Sequence, residues 1–296
     1  MAAESKRAVI AAIIGNAAIA VIKFTAGSIT GSSAMISEGI HSLVDTGNGG
    51  LLFHGLRRGA RPADEHHPFG HGMEVYFWSL IVAVSIFGIG GGMSVYEGII
   101  HIQHPTPLEN PTINYIVLAL AMVFESFSFS VAWRVFRKTK GSRRTLAAIH
   151  HGKDPSLFTV LFEDTAALLG LVVAFFGVFL SHQLQQPALD GLASVVIGTI
   201  LIVAAMWLAY ESRSLLVGEA ADPAVVGLGV VLTMHLGPDD VLLNIEVQFT
   251  EGLPAEEIHA AVHRIEERIS GPYPEVSRIF IEVEAPRGSA AEAPAS

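Results

Sequence analysis

Apolar runs of bilayer length alternate with short polar connectors from the start of the chain to residue 215. They read as spans over about Ala8–Gly27, Ser33–Leu56, Met73–Ile102, Thr112–Phe136, Pro155–Leu180 and Ala188–Tyr210, each near the ~20 residues a hydrocarbon core requires. Beyond Gly218 the period changes. Val225–Met234 and Val241–Phe249 read as strands, the second alternating Leu243, Ile245, Val247 and Phe249 against Asn244, Glu246 and Gln248. Pro254–Ser270 carries Ile258, Val262, Ile265 and Ile269 at helical spacing, with Glu256 and Glu257 in its first turn. Val276–Val283 is a third strand. The pattern predicts an α-helical membrane protein: a six-helix transmembrane bundle (1–215), a small cytoplasmic α+β domain (216–285) and a disordered Ala/Pro/Ser-rich tail (286–296).

Composition sharpens this picture. Over 296 residues, 51% are hydrophobic and 16% charged, against about 25% charged in soluble domains; mean hydropathy is +0.49. With no cysteine, disulfides, thiolate metal sites and Cys nucleophiles are excluded. Acidic and basic residues balance at 14 each up to residue 218, then run 14 to 4, giving the net charge of −10. Nothing suggests nucleic-acid binding, which needs clustered basic residues. Basic residues gather at Lys6 and Arg7, at Arg57, Arg58 and Arg61, and at Arg134, Arg137, Lys138, Lys140, Arg143, Arg144 and Lys153. The other connectors have none, so the positive-inside rule places both termini in the cytoplasm. The short connectors suit a bacterial inner membrane, and the first span reads as uncleaved. Lys23, near the far end of span one, is expected to snorkel to the interface as an anchor.

One polar stripe interrupts the apolar pattern. Glu38, His41, Asp45 and Asn48 fall at i, i+3, i+7 and i+10 on span two. Ionisable groups at membrane depth are costly and face a bundle interior or a watery cavity, and an imidazole one turn from a carboxylate is a ready ligand pair for a divalent metal. The bland alternative is a hydrogen-bonded pair knitting helices together. Span five carries Glu163 and Asp164 at similar depth. No lysine or arginine is expected in mid-span to neutralise them, which suits a cargo cation. Neighbours on a helix point ~100° apart, so Asp164 is the expected ligand and Glu163 a supporting or alternative one. Asp64, His67 and His71 form a second candidate metal cluster at the cytoplasmic surface, against an interfacial loop of hydrogen-bonding histidines. His259 and His263 read as a solvated helix face, and Glu97, Glu125 and Glu211 as interface or ion-pair residues.

Gly39-Ile40-His41-Ser42-Leu43-Val44-Asp45 in span two and His67-Pro68-Phe69-Gly70-His71-Gly72 before span three resemble the cation diffusion facilitators, a family of zinc and related divalent-metal/proton antiporters. Glu74-Val75-Tyr76-Phe77-Trp78, Leu216-Val217-Gly218-Glu219-Ala220 and the Glu163-Asp164 pair are most similar to the zinc transporter nine branch. The resemblance implies a homodimer in a lipid bilayer, alternating access, and exchange of a divalent cation for protons. It implies a tetrahedral transport site on His41, Asp45 and Asp164, a surface site on Asp64, His67 and His71, and a ferredoxin-like C-terminal domain, which is truncated in this chain. Two departures matter: the C-terminal domain lacks the helix that usually precedes its first strand, and the family commonly has histidine four residues before the span-five aspartate, where this chain has Val160. The fourth ligand stays open between Glu163, Asn48 and a water. Zinc is the expected substrate, with manganese, iron, cobalt and cadmium open because nitrogen ligands are few. A membrane metal sensor or scaffold that binds without transporting is the rival reading. Enzyme chemistry is not expected, since neither the His-Glu-x-x-His run of an intramembrane metalloprotease nor a serine hydrolase motif occurs.

Overall fold

The computed structural model describes residues 2–140, 155–218, 220, 231–249 and 252–284. Six long helices come first: α1 (Ala2–Thr30), α2 (Ser33–Gly59), α3 (Glu74–Gln103), α4 (Pro111–Lys140), α5 (Pro155–Leu184) and α6 (Ala188–Val217). Among the described residues, four segments are long and apolar enough to cross a membrane, Glu74–Gln103, Pro111–Arg134, Thr159–Leu184 and Ala188–Val217. The polar stripe keeps α2 out of that set, so composition alone does not carry the six-span count.

Glycines at helical spacing bring α3 and α6 together. A Cβ on Gly91 would stand 2.9 Å from the Gly198 carbonyl oxygen, and one on Gly191 would stand 2.9 Å from that of Gly98. The backbones therefore meet without side chains between them, as membrane helices without a strong hydrophobic drive do. On the same stretch, α3 opens into a π-helical segment over Ile86–Gly92, a wider turn often found at functional positions.

Asp190, in the first turn of α6, accepts from the Ser32 hydroxyl at 2.8 Å and from the Ala34 amide at 3.1 Å. It thus caps the N-terminus of α2 while sitting at that of α6, where two sets of orphan amides favour an anion. This fixes the end of α2 from which the polar stripe runs.

The C-terminal unit is a three-stranded sheet in the order β1 (Val231–Gly237), β2 (Asp240–Gln248), β3 (Val276–Glu284), with α7 (Ala255–Ser270) crossing between the last two. The β1–β2 pair is antiparallel and the β2–β3 pair parallel. Val241, Leu243 and Val276 form its small core, with Ile269 and Tyr273 packed on them. The expected stripe of α7 is half-buried and none of its residues is fully buried. The strand expected from Val225 is seen from Val231; residues 225–230 and the expected tail lie outside the described residues.

The sheet docks on the α2–α3 connector. A Cβ on Gly72 would collide with the Leu236 carbonyl oxygen, and the Arg278 guanidinium lies 5.5 Å from the centre of the Phe69 ring. Gly218 (φ 101°) ends α6 in the left-handed region and lies against Met234 of β1.

Gly198→Val should lower stability by about 1–3 kcal/mol through overpacking, because a Cβ there meets the Gly91 carbonyl oxygen at 2.7 Å. Gly88→Ala, with nothing within 4 Å of its added carbon, should be near neutral; thermal unfolding in detergent compares the two.

Candidate metal centres

Helix α2 presents its stripe inward. Glu38, His41 and Asn48 are buried, and Asp45 nearly so with its side chain 13% exposed. His41 Nδ1 lies 3.3 Å from Asp45 Oδ1, close but not aligned as a hydrogen bond. Both ring nitrogens of His41 and that Asp45 oxygen are enclosed without a hydrogen-bond partner among the described residues. Buried polar atoms are nearly always paired, and here three such atoms without a partner stand together on neighbouring ionisable side chains.

Helix α5 faces it with the two expected acids. The Asn48 side-chain amide donates to Glu163 Oε1 at 2.7 Å, and the Ser128 hydroxyl of α4 donates to Asp164 Oδ2 at 3.1 Å. No lysine or arginine hydrogen-bonds either acid among the described residues. Glu163, Glu125 and Asp164 all repel a charge on Asp45. Glu125, expected as an interface residue, is instead buried on α4 at 8% exposure and joins the cluster. The sequence carried a signal for it: Glu125 and Ser128 stand at i, i+3, one helical face of span four.

Lys23 requires a correction. It does not snorkel to the interface; it is fully buried, donating to Glu38 Oε2 at 2.9 Å and to Ser42 Oγ at 2.8 Å. A fixed counter-charge therefore sits on the stripe at Glu38, contrary to expectation. The reason is antiparallel geometry: α1 and α2 fold back about Gly31, which pairs positions eight before and seven after it. Counting outward from that turn would have found the pair.

The second cluster lies on the connector. Asp64 Oδ1 accepts from the amides of His66 at 3.0 Å and His67 at 2.7 Å, an Asx-type turn. The imidazole Nδ1 of His67 lies 3.2 Å from the same oxygen, and His71 Nε2 lies 3.0 Å from Oδ2. Their ligand atoms all lie within 4.8 Å of one another, the one such trio of His or acidic groups among the described residues. His41, Asp45 and Asp164 do not converge that closely. The His71 bond, then the His67 amide, holds the Asp64 carboxyl down to about 2, so it is an ionised, ligand-ready acid at ordinary pH. Glu74 braces the connector, accepting from Arg58 at 2.7 Å and from the Trp78 indole at 2.9 Å. A cavity of about 400 Å³ beside His71 runs between Arg61, Asp240 and Arg278, under the docked sheet.

His259 and His263 stay on the exposed face of α7, where His263 lies 3.6 Å from Glu266 and 3.5 Å from Glu267, and among the described residues no convergent trio of ligand atoms forms there.

The profile of the cation efflux transmembrane domain matches residues 9–217. The chain belongs to the cation efflux family. Similar proteins include the mitochondrial proton-coupled zinc antiporter SLC30A9 of Mus musculus, 34% identical over 259 residues, and that of Homo sapiens, 35% identical; each match covers 82% of this chain and 46% of the relative. The cation-efflux pump FieF of Escherichia coli is 26% identical over 283 residues, covering 90% of this chain and 89% of the pump. The chain thus spans about half the length of the zinc antiporters it matches. These family relatives are cation transporters, not enzymes.

Asn48→Ala should cost about 1–3 kcal/mol by leaving the buried Glu163 oxygen without its donor, read as a lower thermal midpoint at neutral pH.

Proposed function

We propose that this cation efflux protein exports a divalent metal cation, zinc before manganese, iron, cobalt or cadmium, in exchange for protons by alternating access. The observation that carries the reading is the enclosed His41–Asp45 pair, unsatisfied at three ligand atoms, beside Glu163 and Asp164, which hold Asn48 and Ser128 rather than a basic side chain. Groups left unpaired in a dry interior are expensive, and a passing cation completes them. The transport site is His41, Asp45 and Asp164, with Glu163 or Asn48 supplying the fourth ligand once Asn48 and Glu163 part. Loading needs a neutral imidazole and ionised carboxylates, so metal entering drives protons out, and protonation of the same groups expels it. The zinc antiporters named above support proton exchange and zinc as the substrate.

Asp64, His67 and His71 would hold a second ion where the connector meets the sheet. The six helices span a bacterial inner membrane with both ends cytoplasmic. Two copies of the thin sheet unit pair into a homodimer; on its face away from α7, Leu232 and Phe280 are 62% and 50% exposed.

In proteoliposomes carrying an internal pH dye, Asp45→Ala should abolish zinc-driven proton movement. Asp64→Ala should lose one bound zinc equivalent while exchange persists. Undiminished exchange by Asp45→Ala contradicts the reading, and a protein that binds zinc but moves none is a sensor instead.

A further inference from the structure

Lys23 and Glu38 stand beside the proposed transport site and have no part in the mechanism above. The pair is fully enclosed, with both side chains at 0% exposure. Only one carboxylate oxygen of Glu38 is engaged by Lys23. The other, Oε1, has no hydrogen-bond partner among the described residues and lies 2.5 Å from where a Cβ on Gly170 would stand. Glycine at 170 therefore opens a notch in α5 that admits the Glu38 carboxylate into the same helix interface as the metal ligands. Gly170 is two turns from Glu163 on one face of α5, so Glu38 and Asn48 meet that face on either side of the His41–Asp45 pair.

Glu38 is also one turn from His41, and a carboxylate and an imidazole three residues apart on a helix can chelate one ion. Both nitrogens of that imidazole are without hydrogen-bond partners among the described residues. The Lys23 ammonium holds the opposite oxygen of Glu38 at 2.9 Å. Its positive field reaches further, attracting the charges of Asp45 and Glu125.

We propose that Lys23 is the positioning residue that sets the metal affinity of the transport site. Its ammonium engages Glu38, keeps that acid out of the metal's ligand set, and stands as a fixed positive charge beside the cargo. The inference rests on the transport-site reading. Glu38, Asp45, Glu125, Glu163 and Asp164 would together hold a divalent cation too firmly to release it within a transport cycle. A resident ammonium offsets part of that attraction without competing for His41 or Asp45. A pair that only fastens α1 to α2 would behave differently: breaking it from either side would lower stability and leave metal affinity alone.

The test is zinc binding and zinc/proton exchange by the full chain carrying Asp64→Ala, so that the connector cluster does not contribute. Lys23→Met frees Glu38 and removes the positive charge. Zinc should bind about tenfold more tightly, with KM and kcat of exchange falling together as release becomes limiting. Glu38→Gln leaves the Lys23 charge uncompensated at unchanged shape, and zinc should bind about tenfold more weakly. Opposite shifts from the two sides of one pair uphold the proposal. Unchanged affinity in both variants, or shifts of the same sign, overturns it in favour of a structural pair. Should Lys23→Met fail to fold, Glu38→Gln decides alone: weaker binding upholds the proposal, unchanged or tighter binding overturns it. His41→Ala separates the two levels. If it leaves zinc binding intact, the transport site is elsewhere and the proposal falls with it; if it removes binding, the Lys23 result stands on its own.

Discussion

Burying an ionised carboxylate without a partner costs several kcal/mol, and this bundle buries or half-buries five acids around one imidazole. The rest of the structure answers that electrostatic burden. Lys23 takes one oxygen of Glu38, while Asn48 and Ser128 each give a hydrogen bond to an acid of α5. What is left over at the centre, the His41 ring, an oxygen of Asp45 and the second oxygen of Glu38, includes the groups that the proposed reading assigns to a cation. The proposed exchange rests on that imbalance, since the groups that would bind the metal are those that a proton would also satisfy.

Holding such a cluster together requires helices that do not splay under their own repulsion. At one end of α2, Asp190 ties its N-terminus to α6 through Ser32 and the Ala34 amide. Behind it, α3 and α6 meet backbone to backbone at Gly91, Gly98, Gly191 and Gly198. At the other end, Arg58 and Trp78 converge on Glu74, and the connector between them carries Asp64, His67 and His71 against the sheet. The two candidate metal centres therefore sit along one continuous element, α2 with its connector. One is closed within the bundle, and the other lies where the bundle meets the C-terminal unit.

Much of this was legible in the sequence, and what was not has definite causes. Helix positions and the ββαβ order follow from hydrophobic period, which burial enforces locally. The stripe of α2 follows from helical spacing, and the Asp64–His67–His71 cluster from its eight-residue compass, within which a turn can bring the three groups to one point. Partners across helices were harder. Lys23 read as an anchor because a lysine near a span end usually reaches water; the fold-back at Gly31 instead aims it at Glu38. Glu125 read as an interface residue because nothing local shows that α4 packs its Glu125–Ser128 face against α5. The span count rests on run length more than on apolarity: the polar residues that make α2 interesting also lower its hydropathy below that of an ordinary membrane helix.

The most direct measurement of the central claim is zinc K-edge X-ray absorption on the zinc-loaded full chain carrying His67→Ala and His71→Ala. A metal held by His41 with Asp45 and the acids of α5 gives a nitrogen and oxygen shell at about 2.0–2.2 Å with scattering from a single imidazole, and that imidazole signal vanishes on His41→Ala. A shell of two or more imidazoles, or one unchanged when His41 is removed, would contradict the account.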